Sequence, residues 1–195
     1  MQNTFFVSDT HFQHKNIVKF KQRDANHKTL ETDLRPWDDV DAHDEALIEN
    51  WNKVVKPGDK VYHLGDMVIP NRGLAQFLRL NGSITVIMGN HEEAPARKLL
   101  EYVPNLRGSK EFYNRGWICT HIPIHDSQVD ERWKLNIHGH LHDAVVNDPR
   151  YLCVSMEHIA FTPLHIDDIE VRVKLNQERF EATGSVINFA HEYTH

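Results

Sequence analysis

The sequence predicts an α/β fold in which two β-sheets are covered by helices, and three observations predict it. Through the first half of the chain, a β-rich apolar run, a polar turn and a helical stretch follow one another repeatedly. In the second half that rhythm gives way to short strand-like segments, which favours two sheets over one uniform doubly wound sheet. The 195 residues, 40% apolar and 26% charged with the charges scattered, suit one globular domain over 1–195.

The elements follow in order. "TFFVS" (4–8) is a short apolar run rich in β-formers and reads as a buried first strand. Residues 16–37 are charged and weakly periodic, so they read as a long, partly helical connection, with 13–40 a candidate lid loop over a site. From Val40 to Val55 the apolar positions Leu47, Ile48, Trp51, Val54 and Val55 describe an amphipathic helix stopped by "KPGD". "KVYHL" (60–64) and "SITVIM" (83–88) read as strands, with a helix over 71–82 between them and another through "APARKLLEY" (94–102). "KEFYN", "GWICT", "KLNIHG" and "RYLCVSM" follow as strands, 165–182 as a last helix, and 184–195 as a tail.

Composition excludes several classes. No segment has the apolar length of a membrane span, and the start lacks a basic region followed by a long apolar stretch, so the expectation is a cytoplasmic protein with no membrane partner. Cys119 and Cys153 are too few and too isolated for a disulfide framework and read as small buried hydrophobes. A net charge of −6 argues against a broad phosphate-backbone footprint, so extended nucleic acid is not an expected partner. Oligomeric state is left open. The 15 histidines stand out, because imidazole is the commonest metal ligand.

Five short blocks lie directly after predicted strands: "DTH" (Asp9, His11), "GD" (Asp66), "GNHE" (89–92), "TH" (His121) and "GHLH" (His140, His142). Their imidazole, carboxylate and amide oxygens suit borderline divalent metals such as manganese, iron, nickel or zinc, and thiolate plays no part. Glycine before the Asp, Asn and His blocks permits tight turns.

This ordered set resembles the calcineurin-like metallophosphoesterase superfamily, whose motif is DxH, GD, GNH[DE], H and GHxH; "SDTHFQHKNI" with "RPW" is most similar to small bacterial and phage members. The resemblance implies two mixed β-sheets sandwiched between helices in four layers. It places Asp9, His11 and His142 on one metal and Asn90, His121 and His140 on the other, with Asp66 bridging. It further implies a binuclear phosphoesterase cutting a small phosphodiester or phosphomonoester through metal-activated hydroxide, since such a metal pair lowers the pKa of a shared water. His91 then assists the leaving group, and Glu92 either orients it or caps the next helix. A nuclease acting on short nucleic acids and a catalytically idle metal-binding module are the alternatives; filled motif positions and the presence of His91 weigh against the idle one.

For substrate contacts the sequence offers His14, Arg23, Arg35 and His125, with Lys15 and Lys19 beside them, if the early loop closes. The plainer reading is a solvated basic stretch. His63 and His138 face an undetermined direction, while His27, His43, His158, His165, His191 and His195 read as surface residues. Trp37 and Trp133 either line a base pocket or pack loops down.

Overall fold

A computed structural model describes residues 2–24, 28–91, 96–130 and 132–192. In chain order the elements are β1 (Thr4–Val7), β2 (Lys21–Arg23), β3 (Thr29–Asp33), α1 (Val40–Val54), β4 (Lys60–His63), α2 (Leu74–Phe77), β5 (Ser83–Ile87) and α3 (Ala96–Leu99). There follow β6 (Asn105–Arg107), β7 (Lys110–Phe112), β8 (Trp117–Cys119), β9 (Leu135–His138), β10 (Tyr151–Cys153), β11 (Leu164–His165), α4 (Ile166–Thr183) and α5 (Phe189–Glu192). The main sheets have the orders β11-β1-β4-β5-β6 and β10-β9-β8-β7, and β2 pairs with β3 in a small two-stranded sheet. Both main sheets are mixed, with β11 and β7 antiparallel to their neighbours, so the expected pair of mixed sheets flanked by helices is present.

The register brings the chemistry together. Val7 pairs with His63, and His63 with Val86, so β1, β4 and β5 end level and their following loops share one edge. Cys119 pairs with Ile137 and Cys153 with His138 in the other sheet. An isolated parallel bridge between Ser8 and Ser155 then joins the two sheets at that edge. Beneath it one continuous apolar cluster runs from Phe6, Val7, Leu64 and Ile87 to Ile137, Leu152 and Val154. Each such side chain contributes ~1.5–3 kcal/mol by leaving water. Leu47, Ile48 and Trp51 of α1 bury against the same cluster, and Asp39 caps that helix by accepting from the backbone N–H of Asp41 and Ala42. Among the described residues no helix is long and apolar enough to cross a membrane. Both cysteines are free and buried, as read from the sequence, and burial pushes the Cys153 thiol up to about 12.

The structure departs from expectation in several places, and the helix expected through 94–102 is among them, ending at Leu99. The helix expected over 71–82 shortens to a 3-10 turn and α2, because the following loop is tethered to α1: Trp51 Nε1 donates to the Asn81 carbonyl (2.9 Å) and Asn81 N donates to Asn52 Oδ1 (2.8 Å). The early connection is not partly helical beyond the 3-10 turn Ile17–Lys19; it folds into the β2–β3 hairpin, with Ile17, Val18 and Leu34 forming a small core of their own. Strand β6 lies in a stretch without β pattern, and its pairing of Asn105, Leu106 and Arg107 with β5 supplies what local propensity does not. The expected tail begins as α5, because Phe189 packs under the Arg172 guanidinium, 4.5 Å from its ring centre. Residues 193–195 and 92–95, where the rest of the tail and the start of the expected 94–102 helix fall, lie outside the described residues.

His63 and His158 are core residues rather than surface or active groups. Burial pushes His63 down to about 3 and His158 down to about 4, so both are neutral in the fold near pH 7. The unfolded chain protonates them near 6.5, so their contribution to stability is complete above that pH and is lost as pH falls toward about 4 and then about 3. Below pH 6.5 each histidine is expected to cost up to ~1.4 kcal/mol per pH unit. Urea unfolding midpoints at pH 7, 6 and 5 should therefore fall, and fall less steeply in His158→Asn; identical slopes in the two proteins would remove His158 from this account.

Candidate metal centre

Five non-glycine residues at the shared sheet edge adopt left-handed backbone: Asp9 (φ 59°), His11 (51°), Asp66 (54°), His140 (71°) and His142 (52°). Asp and His tolerate this region better than most residues, yet each instance still costs of order 1–3 kcal/mol. The surrounding hydrogen bonds hold them there: Asp9 N donates to the Gly65 carbonyl (3.0 Å) and His11 N to the Asp66 carbonyl (3.1 Å). Two glycines make the close approach possible. A Cβ on Gly139 would sit 2.0 Å from Ser8 Oγ and 2.5 Å from Asp9 Oδ2, and one on Gly65 would sit 2.7 Å from the Gly89 backbone.

These turns gather two clusters whose ligand atoms lie within 4.8 Å of one another, Asp9–His11–His142 and Asp66–His121–His140. In the first, the His11 and His142 rings stack with centres 5.2 Å apart, and His11 Nε2 lies 3.8 Å from Asp9 Oδ1. In the second, the His121 and His140 rings meet edge to face at 5.2 Å. Asn90 Oδ1 lies 2.8 Å from His121 Nε2, which joins it to that second group. Asp66 faces both: its Oδ2 is 3.4 Å from His121 Nε2 and 3.9 Å from His11 Nε2.

Divalent cations fit this donor set. Asp9 Oδ1 and both ring nitrogens of His11 are buried with no hydrogen-bond partner, which a native fold tolerates poorly unless something else satisfies them. Nitrogen and oxygen donors without thiolate match borderline or hard divalent ions. The electrostatics agree. Burial, reinforced by nearby His142 and Arg35, holds His11 well below its usual pKa, so the ring is neutral and offers one nitrogen lone pair. Burial also lowers His140. For His121 burial works downward, but its hydrogen bond to Asp66 and the charges of Asp9 and Asp66 raise it to about 9, so an incoming cation has a proton to displace. Asp66 stays low because contacts with His121 outweigh burial.

Behind the first cluster stand residues that sequence reasoning missed. Ser155 Oγ donates to Asp9 Oδ2 (2.8 Å), as does His140 N (2.9 Å), which turns Oδ1 toward the cluster. Glu157 Oε1 lies 3.1 Å from His142 Nδ1 and accepts from Arg35 Nε at 2.8 Å. Arg35 and His142 hold Glu157 well below the carboxylate range although burial opposes them. The signal was the position of "VSMEH", directly after a strand adjacent to the one carrying "GHLH".

The other nominated residues separate. His91 is exposed; its backbone N donates to Asp66 Oδ1 (2.9 Å) and its ring centre is 6.2 Å from that of His11. His14 stands beside the cluster, 5.6 Å from the His11 ring and 5.7 Å from that of Phe20. Arg35 is a correction: its side chain is fully buried under the site, not poised above it. Arg23 is exposed and lines a separate cavity of about 510 Å³ with Asp143, Asn147, Asn188 and His191, none of them in the clusters. The His125 side chain is 80% exposed and accepts from Ser127 N to cap a local turn. Lys15 and Lys19 are exposed.

His43 is not a surface residue; it is buried between Asp44 (2.9 Å) and Arg35 (2.8 Å). His138 is buried with Nδ1 2.8 Å from the Gly139 carbonyl, and burial pushes it down to about 4. His165 caps α4, and His191 is half-buried on α5. Trp37 packs on His43 and Phe161, and Trp133 on Tyr113, so both hold loops down. His27, Glu92 and His195 lie outside the described residues.

A family model described as "Calcineurin-like phosphoesterase" matches residues 3–187. Uncharacterized protein MJ1445 of Methanocaldococcus jannaschii is 30% identical over 185 residues, 86% of this chain and 89% of that protein. Gene 66 protein of Mycobacterium phage L5 is 30% identical over 97 residues, 47% of this chain and 41% of that one. Among solved structures, the protein of unknown function AQ665 from Aquifex aeolicus is similar with a TM-score of 0.64 and 25% identity, over 88% of this chain and 99% of that one.

Proposed function

This chain belongs to the calcineurin-like phosphoesterase family, and from that premise we propose that it hydrolyses a small phosphodiester at a centre of two divalent metal ions. It is a metal-dependent phosphoric ester hydrolase. The observation that carries the two-ion reading is the Asp66 carboxylate, set between the two clusters and close to a histidine of each. Asp9, His11 and His142 would hold one ion and Asn90, His121 and His140 the other. Bound there, a pair of divalent ions supplies Lewis acidity toward a phosphoryl oxygen and acidifies a shared water. Manganese, iron, nickel and zinc all suit the donors.

The chain's own residues do the rest. Asp9 and Asp66 would only partly offset two divalent charges, which would leave a positive pocket for phosphate in a chain of net charge −6. His91, exposed at the mouth and tied through its backbone to Asp66, is placed to hand a proton to the departing alkoxide. The diester preference is supported by the fate of the arginines. Arg35 is spent beneath the site and Arg23 lines another cavity, so neither meets the second charge of a monoester dianion.

Metal analysis of protein never exposed to chelator, with rates on matched aryl diesters and monoesters, tests this reading. Two ions per chain and diester turnover at least equal to that of monoesters are expected. One ion per chain would sink the binuclear centre, and a strong monoester preference would sink the diesterase assignment.

A further inference from the structure

The segment Arg35–Pro36–Trp37 and Glu157 take no part in the reading above, yet they are built into the centre. The Arg35 Nη2 donates to the carbonyl of Asp9 (2.6 Å), and Nη1 donates to the carbonyl of Thr10 (3.1 Å) and lies 2.8 Å from His43 Nε2. Its Nε donates to Glu157 Oε1 (2.8 Å), the oxygen that also lies 3.1 Å from His142 Nδ1. One guanidinium thus grips the backbone of one ligand and, through a carboxylate, the ring of another, and both ligands belong to the same cluster.

The pair spans 122 residues of sequence and is fully buried. Burying two charges costs desolvation that their attraction barely repays, so such a pair is poorly explained by stability alone. It does supply orientation. An ionised carboxylate at Nδ1 makes His142 the donor there and leaves the Nε2 lone pair to face the cluster. The guanidinium also ties down the carbonyl of Asp9, whose left-handed backbone is otherwise costly to hold.

We propose that Arg35 and Glu157 are a positioning pair that sets the affinity of the Asp9–His11–His142 cluster for its ion, an inference that rests on the metal-centre reading. The Asp66–His121–His140 cluster is an internal control, because His121 Nδ1 is held by the Leu64 carbonyl (2.7 Å) instead. The arm that carries Arg35 is then a fixed strap rather than a lid. Its Trp37 packs edge-on to His43 and Phe161 and locks the strap down.

The test titrates Mn²⁺ into metal-free wild type, Glu157→Gln and the double variant Arg35→Met/Glu157→Leu, reading occupancy per chain with thermal unfolding alongside. The double variant leaves no unpaired buried charge, so it keeps the question open if Glu157→Gln unfolds. Both variants are expected to fill one site as wild type does and to bind the second ion ~10–100-fold more weakly. Two ions bound at wild-type affinity by a folded variant would overturn the positioning pair alone. A wild type that takes up no Mn²⁺ overturns the metal-centre reading and the inference with it.

Discussion

Asp66→Asn is expected to lower turnover by ~10³-fold or more while the protein still folds. The estimate follows from what the carboxylate does: if it is the one group that serves both ions, its loss removes Lewis acidity worth several kcal/mol, and each 1.36 kcal/mol is tenfold in rate. The substitution is nearly isosteric at a side chain buried among His11 and His121. Its amide oxygen can still accept from His91 N, so the fold should persist. Rates with saturating metal and ions bound per chain are the two measurements. Unchanged turnover with two ions retained would refute the bridging role and the mechanism built on it.

Much of the site was legible because its ligands sit where strands end. A level sheet edge turns a sequence pattern into proximity, so Asp9, Asp66, Asn90, His121 and His140, spread over most of the chain, meet on folding. Single-residue strand ends carry this signal well, since each motif needs only its own strand to form. The residues around the ligands were illegible for the opposite reason. Glu157 matters only through two partners, one of them 122 residues away, and beyond its place just after a strand nothing in "MEHI" marks it as facing His142. Arg35 misled because charge on an apparently polar loop suggests solvent or substrate. Its burial depends on contacts with Asp9, Thr10, His43 and Glu157 that no local pattern encodes.

The same distinction explains the fold. α1, with five buried positions on one face and an aspartate cap, declares itself locally. Strand β6 and the hairpin exist through pairing, and the chain after α2 is held instead by Asn81 bonding to Asn52 of α1 and to the Val55 carbonyl just beyond it. Propensity set the long elements, and tertiary competition set the short ones.

His91→Ala is expected to keep both ions and yet slow hydrolysis of an alkyl ester by ~10²–10⁴-fold, the usual contribution of a positioned general acid. The separation of effects follows from the geometry. His91 reaches Asp66 through its backbone N–H, so truncating the ring leaves that contact, and with it the metal ligand's orientation, in place. What is removed is an exposed imidazole whose ring centre stands 6.2 Å from that of a metal-ligating candidate, His11. An aryl leaving group is stable as its anion and needs no proton as it departs, so a nitrophenyl diester should lose far less than the alkyl one. A kcat comparison on the two esters, with metal content measured in parallel, decides the matter. Equal losses on both would show that the ring serves binding or structure, and would take His91 out of leaving-group chemistry.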